Sequence, residues 1–126
     1  MSKAITCCLL IVGLINFVPV LGVLSAQHLQ EAYGVVLSSN DLIILMRHRA
    51  LLFGILGGFI LFSAFNKSYQ VVAMILAGIS MIGFAVLVHG VNGFNASIHK
   101  VLLADYVGIA FLGLALGLTY FDTRNT

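Results

Sequence analysis

The side chains best equipped for chemistry stand where an apolar chain should not put them. Arg47-His48-Arg49 interrupts the run DLIILMRHRALLFGILGGFILFSAF (Asp41–Phe65), Asp105 sits near the start of a run that continues to Phe121, and His89 closes Val71–Val88. A charge at the centre of a membrane helix costs roughly 2.5–3.5 kcal/mol on insertion scales and less near the ends, so such groups are paired or face a wet cavity. Arg47 and Asp105 fall at similar depth and are expected to pair. That pair would either fix helix register or belong to a binding site, and pairing alone does not show function. His48 and His89 suggest axial ligation of a haem between the second and third helices, or a metal site with His28 and His99. Against this, the histidines have no tight ligand spacing and two sit in loops, which fits interfacial or hydrogen-bonded roles.

The elements that must position these groups follow from the hydrophobic pattern. About 20 apolar residues cross about 30 Å of hydrocarbon, and counted back from Phe65 they reach Met46, so the basic triplet lies just inside the membrane boundary. Ser38-Ser39-Asn40-Asp41 supplies N-cap chemistry and starts that helix near Asp41. Along it, Arg47 shares a face with Ala50, Leu51, Gly54, Gly58 and Leu61, and Arg49 shares one with Phe53, Leu56 and Ile60. Gly54 and Gly58 form a G-x-x-x-G pair, the small-residue surface on which helices approach closely. Arg47 is therefore expected to point into the bundle, and Arg49 to snorkel toward headgroups.

Three further runs complete the pattern, giving an all-α, integral membrane four-helix bundle as one domain over residues 1–126, with spans of about 4–24, 42–65, 71–89 and 101–121. With 61% apolar and 8% charged residues and a mean hydropathy of +1.14, the chain lies far from soluble composition and belongs in a lipid bilayer. Its six basic residues form no long run, which excludes a nucleic-acid partner. Ala4–Leu24 is longer than the apolar region of a cleaved signal, and Leu24 is a poor residue before a cleavage site, so a retained span is expected. Within it Pro19 cannot donate to the carbonyl of Ile15. Asn16 either bonds a neighbouring helix or that carbonyl, or contacts a ligand. Cys7 and Cys8 read as packing or lipid-facing residues, with acylation or redox chemistry as the sharper alternative. The loop segment SAQHLQEAY, followed by Gly34, reads as a short interfacial helix. The fourth run repeats small residues at Gly108, Gly113 and Gly117, of which Gly113 and Gly117 are expected to pack helices as Gly54 and Gly58 do.

Four spans joined by short turns bring the end of the first, the start of the second, the end of the third and the start of the fourth into one leaflet. All four histidines, Glu31, Arg47, Arg49, Asn92, Asn95, Lys100 and Asp105 then lie on one side, opposite Lys3, Lys67, Asp122 and Arg124. If the two arginines are buried and not counted as loop charges, the positive-inside rule puts both termini in the cytoplasm.

With Asn16 and Pro19 in the first span, Tyr33-Gly34 in the loop, LMRHRALLFGILGG over Leu45–Gly58 and LADYVG over Leu103–Gly108, the chain resembles a family of small, uncharacterised bacterial four-helix membrane proteins. That family is more distantly similar to DoxX-like proteins, and the likeness runs nearly the whole length of the chain. Its members often carry the automatic label phosphopantetheine adenylyltransferase, which this sequence contradicts: there is no Gly-rich phosphate loop and no βαβ alternation. The resemblance implies a bacterial inner membrane. Because DoxX-like proteins include subunits associated with quinone-linked sulfur oxidation, it also implies a redox or quinone connection. No cysteine lies on the polar side, so a thiol mechanism there is excluded.

Two readings follow. In the first, Arg47, His48, His89, Asn92 and Asp105 line a one-sided polar pocket for a small ligand or quinone-type cofactor, in an accessory to a membrane redox system. In the second, the chain is a structural or assembly subunit whose glycine stripes bury against other copies or a membrane partner. A transporter or channel would need oligomerisation to build a pathway. No nucleophile–base pair or metal motif supports an enzyme.

Overall fold

A computed structural model describes residues 3–19, 27, 30–31, 34, 36, 38–91, 93 and 95–124, with side chains through residue 121. Among the described residues the fold has four long helices, α1 (Lys3–Phe17), α2 (Asn40–Ser63), α3 (Gln70–His89) and α4 (Ala96–Arg124), with a 3-10 turn at Lys67–Tyr69 leading into α3. At 1.5 Å per residue, α2, α3 and α4 measure about 36, 30 and 43 Å, and all three are long and apolar enough to cross a membrane. α1 is apolar but shorter. The protein is an all-α, integral membrane four-helix bundle.

Local chemistry sets the helix ends. Ser39, in an extended conformation, accepts a hydrogen bond at its side chain from the Leu42 backbone N–H at 3.2 Å, so α2 starts at Asn40. Asn95 does the same for α4, its Oδ1 accepting from the Ile98 N–H at 2.8 Å. This cap starts α4 at Ala96, before the expected boundary near 101, and the helix continues past 121 to Arg124. The first helix is α-helical to Phe17 and tightens to a 3-10 turn at Val18-Pro19, where proline's missing N–H interrupts the i→i−4 ladder; residues 20–26, which include the end of the expected span at about 24, lie outside those described. Most of the expected interfacial helix also lies outside them, although Gln27, Gln30 and Glu31 are helical and Gln27 Nε2 donates to Glu31 Oε1.

The core is built around α1. Leu9 and Val12 share one buried cluster with Ile60 of α2 and Ala64 just beyond it, Ala73, Met74, Ala77 and Met81 of α3, and Leu112 and Ala115 of α4. The outer faces are equally apolar, with Ile55, Ile79 and Val86 all more than half exposed. In a soluble protein such a surface would mark a binding site; here it meets acyl chains. Since lipid is as apolar as leucine, close packing rather than water exclusion holds the helices together. The closest approach is between α1 and α2. A Cβ on Gly57 would fall on the backbone of Phe17, and one on Gly13 would come within 2.7 Å of Leu61 Cδ2. Gly108 admits Met81 in the same way.

Within the chain, the close helix contacts fall at other glycines than the four expected. A Cβ on Gly58 would make only an ordinary contact with Phe17, at 3.9 Å, and at Gly113 and Gly117 it would meet nothing within 4 Å. Gly54 is only half-buried. The G-x-x-x-G spacing selects a stripe beside the one that meets α1, and Gly113 and Gly117 turn away from the bundle. Cys8 is in the core and Cys7 is exposed.

Candidate ligand cavity in the membrane

The end of the bundle that gathers the last turn of α1, the early turns of α2 and α4 and the last turns of α3 is not filled. A cavity of about 370 Å³ lies there, walled by Ile15 and Pro19, Phe53, Phe84 and Val101, with Asn16, Arg49 and Asp105 as its polar groups. Helix geometry places the charges. Arg49 is nine residues beyond the first residue of α2 (49 − 40), and Asp105 is nine beyond the first residue of α4 (105 − 96). Both are therefore about 13–14 Å along their axes. The two helices enter from the same end and both side chains line the one cavity, where the guanidinium and the carboxyl interact electrostatically.

Arg47 does not share this site. Two residues along a helix is a rotation of about 200°, so Arg47 and Arg49 cannot face the same way; Arg47 is exposed, whereas Arg49 is half-buried and lines the cavity. It is Arg49, not the expected Arg47, that shares the cavity with Asp105, and the residue expected to snorkel is the one turned inward. Its guanidinium carbon lies 4.6 Å from the centroid of the Phe53 ring, a cation–π arrangement that suits a desolvated arginine.

Asn16, 2% exposed, is held twice. Its Nδ2 donates to the Val12 carbonyl at 2.9 Å, and its Oδ1 accepts from the Ser80 hydroxyl on α3 at 3.2 Å. It thus bonds a neighbouring helix and also borders the cavity. Among the described residues, no buried side-chain polar atom lacks a partner.

Other expected site residues lie elsewhere. His48 is exposed. His89, on the last turn of α3, shares a hydrogen bond through Nε2 with the Tyr106 hydroxyl, and the two rings stack with centroids 6.3 Å apart. That bond engages a nitrogen that haem ligation would need, and neither histidine lines the cavity. Asn92 is outside the described residues. Among the described residues, no group of three or more His, Cys, Asp or Glu side chains could hold a metal ion. Asn95 proves structural: besides capping α4, its Nδ2 donates to the Gly34 carbonyl at 2.9 Å. Gly34 has φ +64°, a left-handed conformation that glycine adopts without strain, and this tie anchors the first loop to α4.

Among the cavity-lining residues not anticipated are Arg49, Phe53 and Phe84, and outside the cavity Ser80 supports Asn16. Phe53 carried a signal, since it lies one turn after Arg49 on the face that continues to Ile60, which is fully buried. The chain matches no family model, no curated protein and no solved structure.

Proposed function

We propose that this integral membrane protein binds a small amphipathic ligand of the quinone type in the cavity between Arg49 and Asp105. The observation that carries the reading is the juxtaposition of one cation and one carboxyl, from two different helices, in a space that apart from Asn16 is apolar and aromatic. Arginine offers only donors, and an ionised carboxylate only acceptors. A ring with carbonyl oxygens takes hydrogen bonds from Arg49, and its reduced form, bearing hydroxyls, also has donors for Asp105. Phe53 and Phe84 supply faces on which a flat ring packs. Pockets of 300–1,000 Å³ with mostly apolar walls and a few convergent polar groups are the usual form of small-molecule sites.

An accessory role in a membrane redox system rests on the resemblance to DoxX-like proteins alone, as does a bacterial inner membrane. For orientation, Lys3, Lys67 and Arg124 at one end against Arg47 and Lys100 at the other favour cytoplasmic termini; Arg49 is excluded because it lines the cavity.

The test is a titration of the protein in lipid nanodiscs with decylubiquinone. Saturable binding to the wild type that weakens at least tenfold in Arg49→Ala, with Arg47→Ala unchanged, supports the reading. Partition into lipid alone, equal for all three proteins, overturns it. One observation favours a second reading, a self-associating assembly subunit: Gly113 and Gly117 lie four residues apart on α4 with open space beyond them, as a helix-dimer surface would have.

A further inference from the structure

Beside the cavity lies a second space of about 260 Å³, lined by Arg49, Leu52, Phe53, Leu56 and Ser80 in the seam between α2 and α3. Arg49 and Phe53 line both spaces, so the stacked guanidinium and ring form the threshold between them. We infer that this seam is a lateral groove for the hydrocarbon chain of the ligand whose head occupies the cavity, and that the ligand enters from the bilayer past Leu52.

Three features converge on this. The first is direction: Leu56 is seven residues beyond Arg49, about 10 Å further along α2 toward mid-membrane, which is the way an apolar tail must run from a head at the depth of Arg49. Chemistry is the second. Apart from Arg49 at the threshold, the only polar side chain of the groove is Ser80, whose hydroxyl is already committed to Asn16 Oδ1, so the groove asks for an apolar occupant. The third is access. Leu52 is 51% exposed, so the groove reaches the lipid-facing surface. At the other end the same seam is closed by Phe59 and Phe62 packed on Tyr69, with centroids 6.2 and 5.6 Å from it.

The inference rests on the proposed ligand cavity, and a chain-length comparison separates the two. Decylubiquinone and the same ring without its chain are titrated into nanodiscs holding wild type, Leu52→Trp or Leu56→Trp, with affinities expressed per mole of probe in the bilayer. Leu52→Trp acts at an exposed position, so the test survives if the more buried Leu56→Trp fails to fold. The expected result is that the wild type prefers the decyl probe to the bare ring by tenfold or more, and that the tryptophan variants abolish this preference while binding the bare ring within twofold of wild type. A wild type that binds both probes equally, or variants that keep the preference, overturns the groove and leaves the cavity standing. Equal loss of both probes in the variants overturns it as well. Binding of neither probe to the wild type overturns groove and cavity together.

Discussion

Arg49 and Asp105 line one cavity, each nine residues into a helix that enters from the same end of the bundle. This shared lining makes α2 and α4 interdependent although the core between them is filled by α1. Removing Arg49 leaves a carboxyl in an apolar space without its cation, and removing Asp105 leaves a guanidinium supported by Phe53. Arg49→Ala is expected to lower stability by about 1–3 kcal/mol, the usual cost of stranding a buried polar partner. The double variant Arg49→Leu/Asp105→Leu should recover most of it, and Arg47→Ala should change stability by less than about 0.5 kcal/mol. Reversible unfolding in mixed detergent micelles measures all three. Equal losses at 47 and 49 would sink the assignment of the inward face.

Gly57 and Gly113 should respond oppositely to alanine. At Gly57 the new methyl meets the Phe17 backbone, which cannot move aside as a side chain can, so a loss of about 1–3 kcal/mol from overpacking is expected. At Gly113 the methyl meets nothing, and alanine's better helix propensity leaves stability unchanged or raised by up to about 1 kcal/mol. The same unfolding measurement reads both. If Gly113→Ile also converts an oligomer to monomer by sedimentation in detergent, the assembly reading gains its direct support.

Ser80→Ala should reveal what the Asn16 bond is worth. The substitution leaves Asn16 Oδ1 without its donor in a buried setting. Interhelical hydrogen bonds within membranes average about 0.6 kcal/mol and reach about 1.7, so a loss in that range is expected. The double variant Ser80→Ala/Asn16→Leu should cost less than Ser80→Ala alone if these polar contacts are purely structural, because it removes both the donor and the acceptor of that bond.

Two variants at Asn95 divide its roles. Asn95→Asp keeps the oxygen that accepts from Ile98 and loses the amide that donates to Gly34; Asn95→Ala loses both. Amide exchange in the first turn of α4 should rise in the alanine variant, with a capping cost of about 1 kcal/mol, and stay near wild type in the aspartate variant. Exchange that rises equally in both would mean that the loop tie, not the cap, holds the helix start.

The bundle was legible because each helix carries its signal locally: unbroken apolar length, Ser39 before α2, and Gly90 and Gly93 between α3 and α4. Its polar end was legible too, since antiparallel spans with short turns leave one arrangement of the charged residues. Which arginine faces inward was not, for a physical reason. The G-x-x-x-G spacing of Gly54 and Gly58 argued for the Arg47 face, but the face that α2 buries runs through Ile60, about three turns past Arg49 and within about 20° of it around the helix, while Gly57, which packs on Phe17, lies about 80° from either arginine. The alignment of Arg49 with Phe53, Leu56 and Ile60 was the better signal, because a continuous large apolar face is what a cavity wall and core require. The early start of α4 was missed since Asn95 was weighed as a polar loop residue rather than a cap. His89 paired with Tyr106 had no sequence cue, as the two are joined only by the packing of α3 on α4.

The most direct test of the central claim is native mass spectrometry of the protein released gently from its own membrane, with an absorbance spectrum of the same sample. The account predicts a bound small amphipathic molecule in the wild type and in Arg47→Ala, and its loss from Arg49→Ala. A wild type that emerges in a defined oligomer with no bound small molecule, or one whose ligand is retained by Arg49→Ala, would contradict it.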